Sequence, residues 1–321
     1  MKKMINAAKI EGTLYQHSLE LKVSGPQSKK PNVEYIRGSI DIATNNAMTN
    51  IVSVYFGYTS ANYGSGKPNT NYPVLKGIID GLYGCYTDPN VKDNAAKVRI
   101  DTSIALNDFY SNRSGTEELI SAKRLEGGFI HITPSINENE NMRNRFETDI
   151  VICGVKVIDA VLNETTGEIM YPEKADIDGR IFGGYKDNFT ILPVHFSAIN
   201  PAAINYFLGL NASKSDPVFT KVKGSIVSEQ GVRYITEESA FGDASVREVR
   251  TSHKDYVIDW AATTPYDIGP ESGLLTMEDL KTLAQERETY LATIKSRAQQ
   301  QAMANNAISS SAEPAKKEFN F

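Results

Sequence analysis

Apolar and polar residues alternate with a period of two over most of this chain. That is the pattern of strands with one face on a core. A long alternating segment opens near Lys9 (KIEGTLYQHSLELKV), and a second opens near Thr148 (TDIVICGVKVIDAV). Between and after them the pattern repeats at a spacing of about 140 residues. VEYIRGSIDIA from Val33 reads beside EKADIDGRIFG from Glu173, so that Ile36, Gly38 and Ile40 correspond to Ile177, Gly179 and Ile181. IVSVYFGY from Ile51 reads beside ILPVHFSA from Ile191, with Val54 and Phe56 matching Val194 and Phe196. Each pair is joined by an Asn-containing turn, as a hairpin requires.

The periodicity then changes to three and four. Tyr72 to Leu82 and Pro201 to Leu210 each carry a proline at or near the start and an apolar stripe, which predicts a short amphipathic helix in each half. Strand patterns resume at Ala96 and Val218, and a last strand closes each half at Gly127 and Lys254. The order strand, strand, strand, short helix, strand, strand is that of the OB fold, a five-stranded Greek-key barrel. The expected fold class is therefore mainly β. Two tandem OB-like barrels, residues 1–148 and 149–264, would be followed by a helix and a tail over 265–321. The helix begins after Thr276, a suitable N-cap, with Glu278 and Asp279 in the first turn and Leu280, Leu283, Tyr290, Leu291 and Ile294 at helical spacing. Beyond Ala302 the chain turns to Ala, Gln, Asn and Ser and ends in EPAKKEFNF, a flexible tail by composition.

Composition narrows the chemistry. The net charge of −5 counts against a protein whose whole surface grips nucleic acid, but residues 1–148 hold 17 Lys and Arg against 15 Asp and Glu, so the first half is the more basic. Cys85 and Cys153 have neither CxxC spacing nor paired histidines, and the four histidines are scattered, so neither a disulfide framework nor a metal site is expected. Phosphate-binding GxxxxGK[ST], GxSxG and HExxH are absent, and GSG at Gly64 reads as a polar turn. No enzyme and no cofactor is expected. The start, MKKMINAAKIEG, has no apolar stretch behind its lysines, and no segment has the length to span a bilayer, so a cytoplasmic protein with no membrane partner is expected.

OB barrels bind single strands across strands 2 and 3 and with the loops joining strands 1 to 2 and 4 to 5. In the first half those places hold Lys22, Lys29, Lys30, Tyr35, Arg37, Tyr55, Tyr58, Tyr63 and Lys67, then Phe109, Tyr110, Arg113, Lys123 and Arg124. Rings can stack on bases while the interleaved cations follow phosphates. Tyr58 shares its parity with Val54 and Phe56, which the alternation assigns to the core. In the second half Arg247, Arg250, Lys254 and Tyr256 are the corresponding candidates.

The tandem pattern, with YIRGSIDIA, NIVSVYFGY, FIHIT and SAFGDASVREV, resembles a group of single-stranded DNA-binding proteins encoded by phages and prophages of bacteria. The resemblance covers roughly residues 9 to 262. It implies an accessory replication or recombination protein that coats exposed strands in the host cytoplasm, with single-stranded DNA as partner and homo-oligomers a further expectation. Bacterial single-strand binders also end in an acidic, Phe-terminated tip that docks replication or recombination proteins. Here Phe319 and Phe321 are the matching residues, although Lys316 and Lys317 precede them and only Glu318 is acidic. Two other classes fit a Tyr-rich β chain without catalytic motifs: a structural virion protein, and a protein-binding adaptor.

Overall fold

The structure is a computed structural model that describes residues 4–111, 116–162, 167, 169–185, 188–237 and 245–311. It is mainly β. Among the described residues there are thirteen strands and three α-helices; the strands expected in each half are present, with β2, β8 and β9 in addition, and eleven of the strands lie in one sheet where two separate five-stranded barrels were expected.

The first half contains β1 (Asn6–His17), the short β2 (Glu20–Val23), β3 (Glu34–Ala43) and β4 (Ile51–Ser60). Helix α1 (Asn71–Ile79) follows, then β5 (Lys97–Ser111) and β6 (Glu118–Thr133). β1 pairs antiparallel with β3 and β5, β3 with β4, and β5 with β6. A parallel contact between β4 and β6, with Val54 opposite Leu125, closes the circuit. The second half repeats the scheme with β7 (Asn144–Ile158), β10 (Lys174–Tyr185), β11 (Asn188–Ala198), α2 (Pro201–Gly209), β12 (Val218–Glu237) and β13 (Ser245–Ala261). β7 pairs with β10 and β12, and the parallel contact is Ser197 opposite Val257. Two short strands, β8 (Val161–Leu162) and β9 (Ile169–Tyr171), form a separate hairpin.

Val54 and Val194 thus occupy equivalent strands, and the inward sets agree. Ile36, Ile40, Val54 and Phe56 are buried in one half; Ile177, Ile181, Val194 and Phe196 are buried in the other. The register differs by one pleat: Gly38 lies opposite Phe56, whereas Gly179 lies opposite Val194. Alternation preserves which face a residue occupies but not which partner it meets, so a slip of two residues leaves no mark on the pattern. Gly38 has its own constraint. Its φ is 136°, and a Cβ there would stand 2.2 Å from the Ser18 carbonyl oxygen.

β7 binds the halves together. Besides its partners in the second circuit it pairs with β1, Asn6 opposite Thr148 and Lys9 opposite Arg145, so the expected boundary at 148 falls inside a strand. Buried polar groups at the seam are satisfied across it. Asn6 donates to the carbonyls of Ile104 and Phe182, Asn144 donates to the carbonyl of Ile226, and Asn50 accepts from the Ser228 amide at 2.6 Å.

The C-terminal helix α3 (Met277–Ser311) has the expected start: Thr276 Oγ1 accepts from the Asp279 amide while Asp279 accepts from the Thr276 amide, a reciprocal cap. Its apolar stripe lies on the body. Leu280 and Leu283 pack with Met4, Val151, Phe182, Ile191 and Phe219 in a second apolar cluster. Further along, Arg287 pairs with Asp108 of β5 at 2.8 Å, with side-chain exposures of 11% and 2%.

Candidate nucleic-acid interface

On β3 the residues Tyr35, Arg37 and Ser39 recur at period two and face outward. On β4 the alternation breaks. Ile36 lies opposite Thr59 but Gly38 lies opposite Phe56, so β4 carries one extra residue between them. This bulge moves Thr59 into the core and turns Tyr58, which strict alternation would bury, out to 49% exposure. Tyr55 and Tyr58 therefore share a face although they stand an odd three positions apart.

The outward side chains form two contacting groups, Tyr58 with Tyr35 and Arg37 with Tyr55 and Arg124, with Tyr35 and Arg37 on the same face of β3. Tyr58 stacks on Tyr35 with ring centroids 4.5 Å apart. Arg37 Nε donates to the Tyr55 hydroxyl at 2.7 Å, which holds the guanidinium above its ordinary pKa. The Arg124 guanidinium lies 4.5 Å from the centre of the Tyr55 ring. It also donates to Glu126 at 2.7 Å and to Asn107 at 3.0 Å, so part of its charge is already matched. At the Tyr58 end the face opens into a concavity of about 410 Å³ that includes Lys29, Lys30, Tyr58 and Tyr63 among its walls. Both lysines are exposed, and Lys67 is exposed at the tip of the neighbouring turn, where its carbonyl accepts from the Tyr63 amide. Lys22 is paired with Glu20 at 2.7 Å.

Three expected contacts sit elsewhere. Tyr256 is a core residue, 6% exposed among Phe146 and Phe196, and burial pushes its hydroxyl pKa well up; it offers no face to a base. Lys123 shares the inward parity of Leu125 and reaches across the seam. Its Nζ donates to the His195 carbonyl at 3.0 Å and lies 5.1 Å from the Tyr256 ring, and burial lowers its pKa. Tyr110 is half-buried with Lys295 of α3 5.7 Å from its ring centre, whereas Phe109 beside it is 40% exposed. Lys254 is exposed and shares a shallow recess at the seam with Arg124. Arg247 and Arg250 lie toward the far end of β13, with side chains outside the described residues. Arg113, Phe319 and Phe321 also lie outside them.

The same face of the second half has different chemistry. β10 presents Asp176, Asp178 and Arg180, and β11 presents His195 in the place of Tyr55. His195 Nδ1 lies 3.0 Å from Asp176, and Arg180 pairs with Asp178. Beneath them the buried Asp255 accepts from Lys174 at 2.7 Å and Ser197 at 2.6 Å. Burial alone would raise the Asp255 pKa, but these two bonds and the lysine charges together hold it below the usual carboxylate value. On this face, carboxylates stand in the second half where the first half has Tyr35 and Arg37, so the equivalent strands of the second half do not repeat the aromatic, cationic surface of β3 and β4. Among the described residues no cluster of three or more His, Cys, Asp or Glu could hold a metal ion, and no helix is long and apolar enough to cross a membrane.

Fold and face together define a mainly β protein whose eleven-stranded sheet carries an aromatic, cationic surface on β3 and β4. The chain belongs to the YorF family, whose profile matches residues 4–297. No curated protein matches it. Among solved structures it is similar to a deletion mutant of the single-stranded DNA-binding protein from Thermus aquaticus, at 10% identity and a TM-score of 0.42, covering 84% of this chain and 100% of that one.

Proposed function

We propose that this chain binds single-stranded DNA with little base preference, without catalysis, across the outer face of β3 and β4. The observation that carries the reading is the row of side chains from the Lys29 and Lys30 concavity through Tyr58, Tyr35, Arg37 and Tyr55 to Arg124. Ring faces accept any base, and cations at this spacing accept the phosphates between them. The architecture supporting that face is read as two OB-like barrels in tandem. The circuits β1-β3-β4-β6-β5 and β7-β10-β11-β13-β12 each carry a helix between the third and fourth strands, in modules of 1–148 and 149–264 that share β7 at their border. Coating exposed strands during phage replication or recombination in the host cytoplasm is the role this activity would serve.

The test is fluorescence polarisation with labelled oligo-dT and oligo-dA at two salt concentrations. The Tyr35→Ala/Tyr58→Ala double variant should bind both oligomers roughly 10- to 100-fold more weakly at either salt, since stacking is not a counterion effect. Unchanged affinity in a variant whose circular dichroism is unaltered would place the site elsewhere.

A further inference from the structure

The outer surface of the opposite part of the sheet, formed by β6, β5, β1, β7, β12 and β13, holds two large aromatic side chains that the β3–β4 face does not use. Phe129 is 55% exposed and Trp260, the sole tryptophan, is 46% exposed. Phe129 is outward because β6 bulges. Asp101 lies opposite Phe129 and Ser103 opposite Glu126, and Gly128, at φ 99°, closes to where a Cβ would stand 2.0 Å from the Asp101 carbonyl oxygen. The strand pairings run a row of outward residues across both halves: Phe129 beside Asp101, Asp101 beside Lys9, Lys9 beside Arg145. The adjacent row brings Glu147 beside Lys223 and Lys223 beside Trp260. Lys223 Nζ lies 5.3 Å from the Trp260 ring centre. Along these rows is a concavity of about 380 Å³ whose charged walls are Lys9, Asp101, Arg145, Glu147 and Lys223; Lys9 is paired with Glu11 and Arg145 with Asp259, which leaves Lys223 as the cation turned to a ring.

We infer that this surface is a second single-strand-binding platform, on which Phe129 and Trp260 stack bases and Lys221 and Lys223 take phosphate. The inference rests on the function proposed above. Glu147 lies 3.5 Å from Lys221 and 3.3 Å from Lys223, and Asp149 lies opposite Lys221, so the Lys223 ammonium against the Trp260 ring has only a share in one carboxylate. The platform is also continuous with the first face. Arg124, against Tyr55, and Phe129 lie five residues apart on β6, roughly 15 Å at strand rise. A strand leaving Tyr55 can therefore follow β6 onto the second surface without crossing open solvent.

Because Trp260 is the sole tryptophan, its emission reports on this surface alone. The full chain is titrated with oligo-dT of roughly 40 nucleotides, longer than one OB-type site needs, while polarisation and tryptophan emission are recorded together. The expected result is quenching of Trp260 as polarisation rises, with Phe129→Ala weakening binding roughly tenfold and reducing the quench at unaltered circular dichroism. A polarisation rise with constant emission, and wild-type affinity in Phe129→Ala, would overturn the second platform and leave the β3–β4 function standing. If the wild-type chain does not bind the oligomer at all, the proposed function fails and the second platform fails with it.

Discussion

The charges on the β3–β4 face allow the salt dependence of binding to be worked out residue by residue. Among the described residues no carboxylate is bonded to Lys29, Lys30 or Arg37, whereas Arg124 is engaged by Glu126 at 2.7 Å. Counting three to four phosphate contacts, at about 0.7 per contact for a single strand, gives a slope of log affinity on log salt of about −2 to −3. Between roughly 50 and roughly 200 mM salt the wild-type chain should lose about 20- to 50-fold in affinity. Arg37→Gln removes one contact, so its loss over the same interval should fall to about 7- to 18-fold. Glu126→Gln frees Arg124 and should steepen the slope. Lys123→Gln should leave the slope unchanged, because that ammonium is held by the His195 carbonyl over the Tyr256 ring. Polarisation with labelled oligo-dT over a salt series measures all four slopes. A Lys123→Gln slope flattened as much as that of Arg37→Gln would refute this assignment of the face.

Three further outcomes follow from the packing. Arg287→Ala leaves Asp108 buried without its ion pair and should cost about 3 kcal/mol of α3 docking, seen as faster amide exchange over residues 280–295; the double replacement Arg287→Met/Asp108→Leu should recover most of it. Asp255 has a folded pKa below its unfolded one, so its stabilisation is complete above the ordinary carboxylate pKa and is lost as pH falls through the folded value. Asp255→Asn should therefore lose less of its urea midpoint between neutral and strongly acidic pH than the wild type does. Removing residues 303–321 should leave DNA affinity within a factor of a few, because the described polar contacts of α3 with the sheet end at Gln299, which donates to Glu117.

Much of the fold was legible because burial imposes alternation. β3, β4 and both short helices lie within a residue or a few of where the pattern puts them, and Thr276 caps the last helix as its residue type suggests, with the return bond from Asp279 seen only in the structure. What alternation could not convey is where it breaks. The extra residue in β4 turned Tyr58 outward, and the bulge at Gly128 did the same for Phe129. The Gly127-Gly128 pair was the available signal for the latter. Lys123 and Tyr256 were misassigned by chemistry rather than pattern: a lysine and a tyrosine look like surface groups, yet Lys123 has the parity of Leu125, and Tyr256 that of Ile258. The strand β6 starts at Glu118, well before the apolar run at Gly127, because its first part pairs only with β5 and buries little. The short edge strand β2 is exposed throughout and carries no burial signature.

The strand β7 belongs to the second circuit yet pairs with β1 of the first, and this has a mechanical consequence. Two barrels tied by a linker would swivel, and each would meet DNA at whatever angle the strand happened to take. Here the backbone bonds from β1 to β7 and the Asn6, Asn50 and Asn144 side chains fasten one half to the other, leaving no joint between them. On the proposed function, the protein would act as a template of fixed contour, and the conformational freedom given up on binding would belong to the nucleic acid. A single-stranded tether held under low force should then shorten by a constant step for each molecule bound, with the size of the step set by the protein's surface and not by the sequence of bases.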